Sequence, residues 1–489
     1  MTKIEMKPQY WAIVIGIAWL AMIILFGLAR EDVYGMSEGG ALNLLLGWSA
    51  SAQVQSPITH IGNLDFRLLP DYFLGLYWPG SVMAARVFSF LLYFLAVIGL
   101  YRWSRQQDGE ESAKIASGLM LIVPVAFMTA NTLDVGPFLL VLFICAGYFD
   151  KRYQESPHNI SAWYFLQLLT VVACLTLHPM GAVYPLLLAW RWLSLRAEQA
   201  QKFKVMLIGL FAATLFVLTM QAGWIDTQFG ASPPQVWNDA LTGFNALDSE
   251  HGWIMGWSAF LLLLVTLYFD RKSILGRDLN NGLLAFSAIV GAFCADMNWA
   301  LVASAYLLYR GIALLLSLNR RLGKQSFAAQ RGISFTALIV LCFIFTQSDR
   351  ALALANKSEV LAAQDELIKT LAHSINKDDP FFAASQWPAR TMMACKRDVF
   401  SLPPAQKDGN DLLKSIRGVT HIIFDPNQAK NHALSKNLSQ VNDKIKTVAI
   451  QEGGVIIAVR KPDVSRLPSA EPKKKAPESN PDSDLPNQK

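Results

Sequence analysis

Residues 81–101 read SVMAARVFSFLLYFLAVIGLY, and Arg86 is the one charged residue among them. About 20 predominantly apolar residues suffice for a helix to cross a bilayer, so this run is read as a membrane span. The same pattern returns on both sides of it. Apolar runs fall at about 10–29, 81–101, 115–133, 135–149, 161–178, 181–195, 205–222, 253–269, 281–295, 299–318 and 332–348. The fold class that follows is an α-helical polytopic membrane protein with about eleven transmembrane helices.

The loop charges test that count independently. With the N-terminus in the cytoplasm, the cytoplasmic loops hold Arg102, Arg105 and Lys114; Lys151 and Arg152; Arg191, Arg196, Lys202 and Lys204; Arg271, Lys272 and Arg277; Arg320, Arg321, Lys324 and Arg331. The opposite loops near 134, 179, 223–252 and 296 contain no Lys or Arg, and hold Asp134, Asp226, Asp239, Asp248, Glu250 and Asp296 instead. Basic residues mark the cytoplasmic side, and a wrong helix count would scramble the alternation. The reading therefore sets residues 30–80, 223–252 and 350–489 in the outer compartment, the periplasm of a bacterial inner-membrane protein.

Composition sets the domain boundary. Only 16% of the 489 residues are charged, against about 25% in soluble proteins. The deficit is confined to the part before residue 350. Residues 1–349 thus form the membrane domain, 350–462 a soluble outer domain, and 463–489, rich in Pro, Ser, Lys and Asp, a disordered tail. The outer domain opens with a helix pattern around 351–375. Strand-like runs at 381–385, 420–424, 446–450 and 454–460 alternate with helix patterns near 410–417 and 427–438, which predicts a small α/β domain. The net charge of +6 sits between apolar runs, which argues for a membrane and against nucleic acid. Cys145, Cys174, Cys294, Cys342 and Cys395 show no CxxC spacing and predict neither a disulfide framework nor a metal site. The run Trp11–Ala29 is longer than the apolar core of a cleaved signal peptide and is read as an anchor.

Candidate chemistry gathers on the outer side. Glu31, Asp32 and Glu38 follow the first span, and Asp134 lies in the next outer turn. Carboxylates beside a membrane cavity can serve as general bases. His60, Asp65, Arg67 and Asp71 share the first loop without metal-ligand spacing. His178 and Asp296 occupy two further outer turns, where each can meet a substrate headgroup or cap a helix. Arg310 lies within the run 299–318, at a depth where arginine normally faces a cavity or a partner. A lipid phosphate suits its planar fork; so does a structural ion pair with an intramembrane carboxylate.

Three stretches carry a family resemblance: Ser37-Glu38-Gly39-Gly40-Ala41-Leu42-Asn43-Leu44-Leu45, an acidic residue before an apolar surface helix; Pro70-Asp71-Tyr72-Phe73-Leu74; and the Gly80–Ser89 segment with Ala84-Ala85-Arg86. Together with Asp134 ahead of Gly136-Pro137, their order resembles the GT-C superfamily of membrane glycosyltransferases, the group of protein O-mannosyltransferases and lipid A aminoarabinose transferases. The similarity is clearest over about 30–150. It implies a sugar carried on a polyprenyl phosphate, an unknown periplasmic acceptor, and a carboxylate base in the first outer loop. Carried over, the catalytic positions are Glu38 (or Asp32) and Asp134, with Arg310, Arg67, His60, His178 and Asp296 as donor or substrate contacts. Ser37 stands where the family commonly has the Asp of an Asp-Glu pair; Glu31-Asp32 offers a displaced pair in reverse order. The chain has no Walker-type phosphate loop, so no nucleotide sugar is implied. No cofactor is named, and a divalent cation stays open. Two other functions fit the topology, a transporter or flippase of lipid-linked substrates and a catalytically silent scaffold.

Overall fold

The computed structural model describes Gly16 and residues 34–50, 70–78, 80–121, 123–177, 179–195, 199–225, 266–268, 278–294, 297–314, 316–317, 356–375, 381–403, 406–428 and 431–459. The expected spans at 10–29 (Gly16 apart) and 332–348, nearly all of 253–269, and the tail after Pro462 lie outside these residues.

The bundle begins with α1 (Glu38–Ala50) and α2 (Pro70–Tyr77), which pack on each other, and continues into α3 (Val82–Asp108). The Ser81 hydroxyl caps α3 by accepting from the Ala84 amide at 3.1 Å. Buried residues along α3 recur at three- and four-residue steps, from Val82, Ala85 and Arg86 to Leu100, Trp103 and Ser104. Leu91, Leu95 and Ile98 on the opposite face are exposed, so α3 is apolar on both faces, as a lipid-contacting helix is. The next apolar stretch is broken in two, α4 (Glu110–Leu121) and α5 (Pro124–Asn131), because Pro124 cannot continue a helical hydrogen-bond ladder. Helices α6 (Gly136–Glu155), α7 (Ala162–Leu177), α8 (Val183–Leu195) and α9 (Ala200–Ile225) follow, then α10 (Leu279–Cys294) and α11 (Met297–Tyr306), which runs into a wide π turn at Leu307–Gly311. By length and composition, Val82–Asp108 and Ala200–Val217 suffice to cross a membrane; Ala162–Leu175, Leu279–Ile289 and Leu301–Leu314 are shorter apolar helices.

The two ends of the bundle differ in chemistry. At the basic end, Lys202 Nζ donates to the carbonyls of Tyr153, Gln154 and Ser156 at 3.1, 2.9 and 2.5 Å, and so caps the C-terminus of α6 where a cation is favoured. Beside it, fully buried Asp150 pairs with Arg191 Nε at 2.5 Å and accepts from the Trp192 indole at 3.1 Å and from Gln154 at 2.7 Å.

The C-terminal unit is a five-stranded sheet in the order β2-β1-β3-β5-β4, built from β1 (Ala383–Ser385), β2 (Val399–Ser401), β3 (His421–Phe424), β4 (Ile445–Gln451) and β5 (Gly454–Val459). The pairs β1–β2 and β1–β3 are parallel, β3–β5 and β4–β5 antiparallel. Strand periodicity divides the core. Ile423 and Ile456 point to one face, against Leu367, Ile368 and Leu371 of α12 (Asn356–Ser374). Ile422 and Ile457 point to the other, against Leu412 of α14 (Gly409–Ser415) and Leu434 and Leu438 of α15 (His432–Ser439). Each such isoleucine, fully buried, contributes about 1.5–3 kcal/mol. The crossover from β1 to β2 is α13 (Pro388–Cys395), a helix the sequence pattern did not reveal.

Candidate active site at the junction

The site is built on residues 34–38, which pass between the bundle and the C-terminal unit. On the bundle side, the guanidinium of fully buried Arg86 donates from Nη2 to the Tyr34 carbonyl at 2.6 Å and from Nε to the Asn131 carbonyl at 3.2 Å. The Ser37 amide donates to the Thr132 carbonyl at 2.7 Å. Arg86 thus ties the segment before α1 to the α5–α6 turn.

Ser37 starts α1. Its hydroxyl accepts from the Gly40 amide at 3.1 Å and its carbonyl from the Ala41 amide at 3.0 Å, the geometry of an N-cap. Ser and Asp are interchangeable in that role. Ser37 therefore starts the helix as an aspartate would, without contributing a carboxylate. Gly40 sits against Leu133, itself in the left-handed region at φ 57°. A Cβ on Gly40 would lie 2.6 Å from Leu133 Cβ and 2.8 Å from its carbonyl oxygen. Gly40→Ala should cost about 1–3 kcal/mol through overpacking and push α1 off the α5–α6 turn. A lowered melting temperature of the purified protein, with faster amide exchange at 36–41, is the expected observation.

Glu38 opens α1, and its carboxylate crosses to the C-terminal unit. Oε1 accepts from the Ala389 amide at 2.6 Å and Oε2 from the Arg390 amide at 3.3 Å. These are first-turn donors of α13, which have no partner within the helix. Pro388 opens that helix, and the N-cap Trp387 makes no side-chain cap bond. A carboxylate from the start of the chain supplies the cap, where a negative charge is favoured. Burial nevertheless dominates and raises the Glu38 pKa to about 7, against the lowering effects of the two amides and the Arg390 charge.

Asp134 lies in the α5–α6 turn. Its amide donates to the Thr129 carbonyl at 2.9 Å, and Oδ2 accepts from the Thr132 hydroxyl at 2.7 Å. The structure thus brings the segments bearing Glu38 and Asp134 together through Ser37–Thr132 and Gly40–Leu133. Next to this turn, the Gly136 amide donates to Asn298 Oδ1 at 2.7 Å, which joins the N-terminal end of α11 to the same turn.

Arg310 is elsewhere. It lies in the π turn after α11 and pairs with Asp108 at 2.6 Å, both side chains largely buried. Asp108 ends α3, 22 residues beyond Arg86, or roughly 33 Å along the helix. The structure therefore does not bring Arg310 to Glu38, and the partner it meets is the ion-pair carboxylate. Asp32, His60, Arg67, His178 and Asp296 lie outside the described residues. Among the described residues, no group of three or more His, Cys, Asp or Glu side chains could hold a metal ion. Arg86, Asp365 and Arg390 were missed by sequence reasoning. For Arg86 the signal was present, a lone charge near the start of an apolar span; the other two carry no local signal.

Residues 78–224 match the family model of dolichyl-phosphate-mannose-protein mannosyltransferase. Among solved structures, the chain is similar to ArnT from Cupriavidus metallidurans bound to undecaprenyl phosphate, at 13% identity and a TM-score of 0.52 over 92% of this chain and 98% of that one. It is also similar to the archaeal oligosaccharyltransferase AglB from Archaeoglobus fulgidus in complex with an inhibitory peptide and a dolichol-phosphate, at 12% identity and a TM-score of 0.52 over 94% of this chain and 75% of that one. A search of curated proteins finds no match. The chain therefore shares its fold with these two solved structures and, over residues 78–224, is similar to the mannosyltransferase family model.

Proposed function

We propose that this protein transfers a sugar from a polyprenyl-phosphate donor to an acceptor at the outer face of a bacterial inner membrane, with Glu38 as the general base. The observation that carries the reading is the Glu38 carboxylate, held in one place by the Ala389 and Arg390 amides, where burial raises its pKa to about 7. A base of that strength is half ionised near pH 7, where proton transfer is most efficient. The carboxylate has about four acceptor positions, and the two amides occupy two. In the step proposed, Glu38 takes the proton from the acceptor's O–H or N–H as that oxygen or nitrogen bonds to the anomeric carbon. The bond from that carbon to the phosphate oxygen breaks, and the polyprenyl phosphate leaves with its electrons. Asp134 is proposed to orient the acceptor from the neighbouring turn. The fold shared with proteins solved around undecaprenyl phosphate and dolichol-phosphate supports the donor class.

One observation favours a second reading. A carboxylate bonded to two helix amides also looks like a docking contact, and with Ser37 in the place of Asp the chain fits a silent scaffold. Comparison of glycolipids and periplasmic glycans separates the two. Cells lacking the protein should lose a sugar modification that wild-type protein restores and Glu38→Gln does not. Restoration by Glu38→Gln would favour the scaffold.

The proposed topology has eleven spans, a cytoplasmic N-terminus and a periplasmic C-terminal unit. Reporter fusions after Asp108 and Lys202 should be active only in the cytoplasmic sense, and one after Ser358 only in the outer sense. A cytoplasmic signal at Ser358 would rule the arrangement out.

A further inference from the structure

Glu38 is the end point of a closed circuit of contacts. Asp365 of α12 uses both carboxylate oxygens: Oδ1 accepts from Arg390 Nη2, and Oδ2 accepts from the Gly35 amide at 2.7 Å. Arg390 further donates to Gln364 Oε1 at 2.9 Å and to the Leu361 carbonyl at 3.3 Å. Both residues are buried, at 3% and 5% exposure. The circuit runs from Gly35 through three peptide units to Glu38, across to the Ala389 and Arg390 amides, along the Arg390 side chain to Asp365, and back to Gly35. The Lys369 ammonium lies 4.5 Å from the centre of the Tyr34 ring and closes the side of this loop.

We propose that Arg390 and Asp365 are positioning residues for Glu38, so that the C-terminal unit builds the catalytic carboxylate's environment as well as covering the outer face. The proposal rests on the reading of Glu38 as the base. A carboxylate with free rotamers would spread over several positions; two amides on its oxygens and a pinned backbone three residues upstream leave one. The same pair sets the local charge balance. The ionisable groups facing the segment are Arg390, Asp365 and Lys369 from the C-terminal unit and Arg86 and Asp134 from the bundle, and Arg390 is the cation that favours the ionised form of Glu38. Neutralising one member of the buried pair leaves the other's charge uncompensated beside Glu38, with opposite consequences for the two variants.

The test is a pH titration of the Glu38 carboxyl in the full-length protein in lipid nanodiscs. It is followed by infrared difference spectroscopy on 13C-glutamate-labelled protein, the band being assigned by its loss in Glu38→Gln. In wild type the midpoint should fall near 7. Arg390→Gln should raise it and Asp365→Asn should lower it. Arg390→Lys should restore it towards wild type. Generic loosening moves both variants the same way, so opposite shifts are diagnostic. Midpoints that stay put, or move together, in variants that remain monodisperse would overturn the positioning role. Should Arg390→Gln not fold, the direction of the Asp365→Asn shift decides alone. Opposite shifts combined with full transfer by Glu38→Gln would instead remove the base reading and leave the circuit intact.

Discussion

Glu38→Gln is expected to lower sugar transfer by about 10²–10⁴-fold, the usual contribution of a positioned general base, while the protein still inserts and folds. Glutamine keeps the shape of the side chain and retains one oxygen to accept from the Ala389 amide, so the helix cap is weakened without being lost. Labelled polyprenyl-phosphate sugars and purified protein measure the effect, and a variant within twofold of wild type would exclude a carboxylate base at this position. The pH profile gives a second readout. Activity should climb as pH rises through about 7, because only ionised Glu38 accepts the acceptor's proton. Stability should move the other way. The folded pKa lies above the value of 4.5 for a free glutamate, so the folded state holds the proton more tightly than the unfolded one. The resulting stabilisation is complete below about 4.5 and fades as pH rises through about 7. Glu38→Gln should flatten that part of the melting-temperature profile as well as the rate.

The largest expected loss of stability is at the other end of the bundle. Asp150→Ala takes a shared acceptor from Arg191, Trp192 and Gln154. Removing one partner of a buried ion pair costs about 3–5 kcal/mol, since the other charge stays in a low-dielectric setting. Asp150→Asn should lose less, because its carbonyl can still accept from the Trp192 indole. The double variant Asp150→Leu/Arg191→Met should lose less than the sum of the single changes, since no uncompensated charge is left. Thermal unfolding in detergent of wild type, these variants and the single changes Asp150→Leu and Arg191→Met measures the order. A melting temperature of Asp150→Ala equal to wild type would show that the pair contributes nothing.

The helical membrane fold was legible because a span needs some twenty apolar residues in sequence; the orientation read from the loop charges is what the reporter fusions test. Runs in the tail also announced themselves locally: the pattern at 446–450 falls inside the strand Ile445–Gln451, and that at 410–417 overlaps the helix Gly409–Ser415. The crossover helix Pro388–Cys395 was not found, although proline at a first helical position was a usable sign. Eight residues give too little periodicity, and a tryptophan in the capping place gave no start signal. Glu38 was legible as one of a set of candidate acids in the loops. The groups that lower its pKa were not, because the Ala389 and Arg390 amides and the Arg390 charge lie far along the chain. Arg310 shows the converse limit: its depth in an apolar run was plain, but which end of α3 it would meet depended on helix packing.

The helix cap supplied by Glu38 spans 351 positions of sequence, and this sets an order of events during synthesis. At roughly 5–20 residues per second, the segment bearing Glu38 waits on the order of 20–70 s for the amides that cap onto it. If Glu38 is the base proposed, its surroundings are complete only once Arg390 has been made, and a chain that stops before that helix should be born inert.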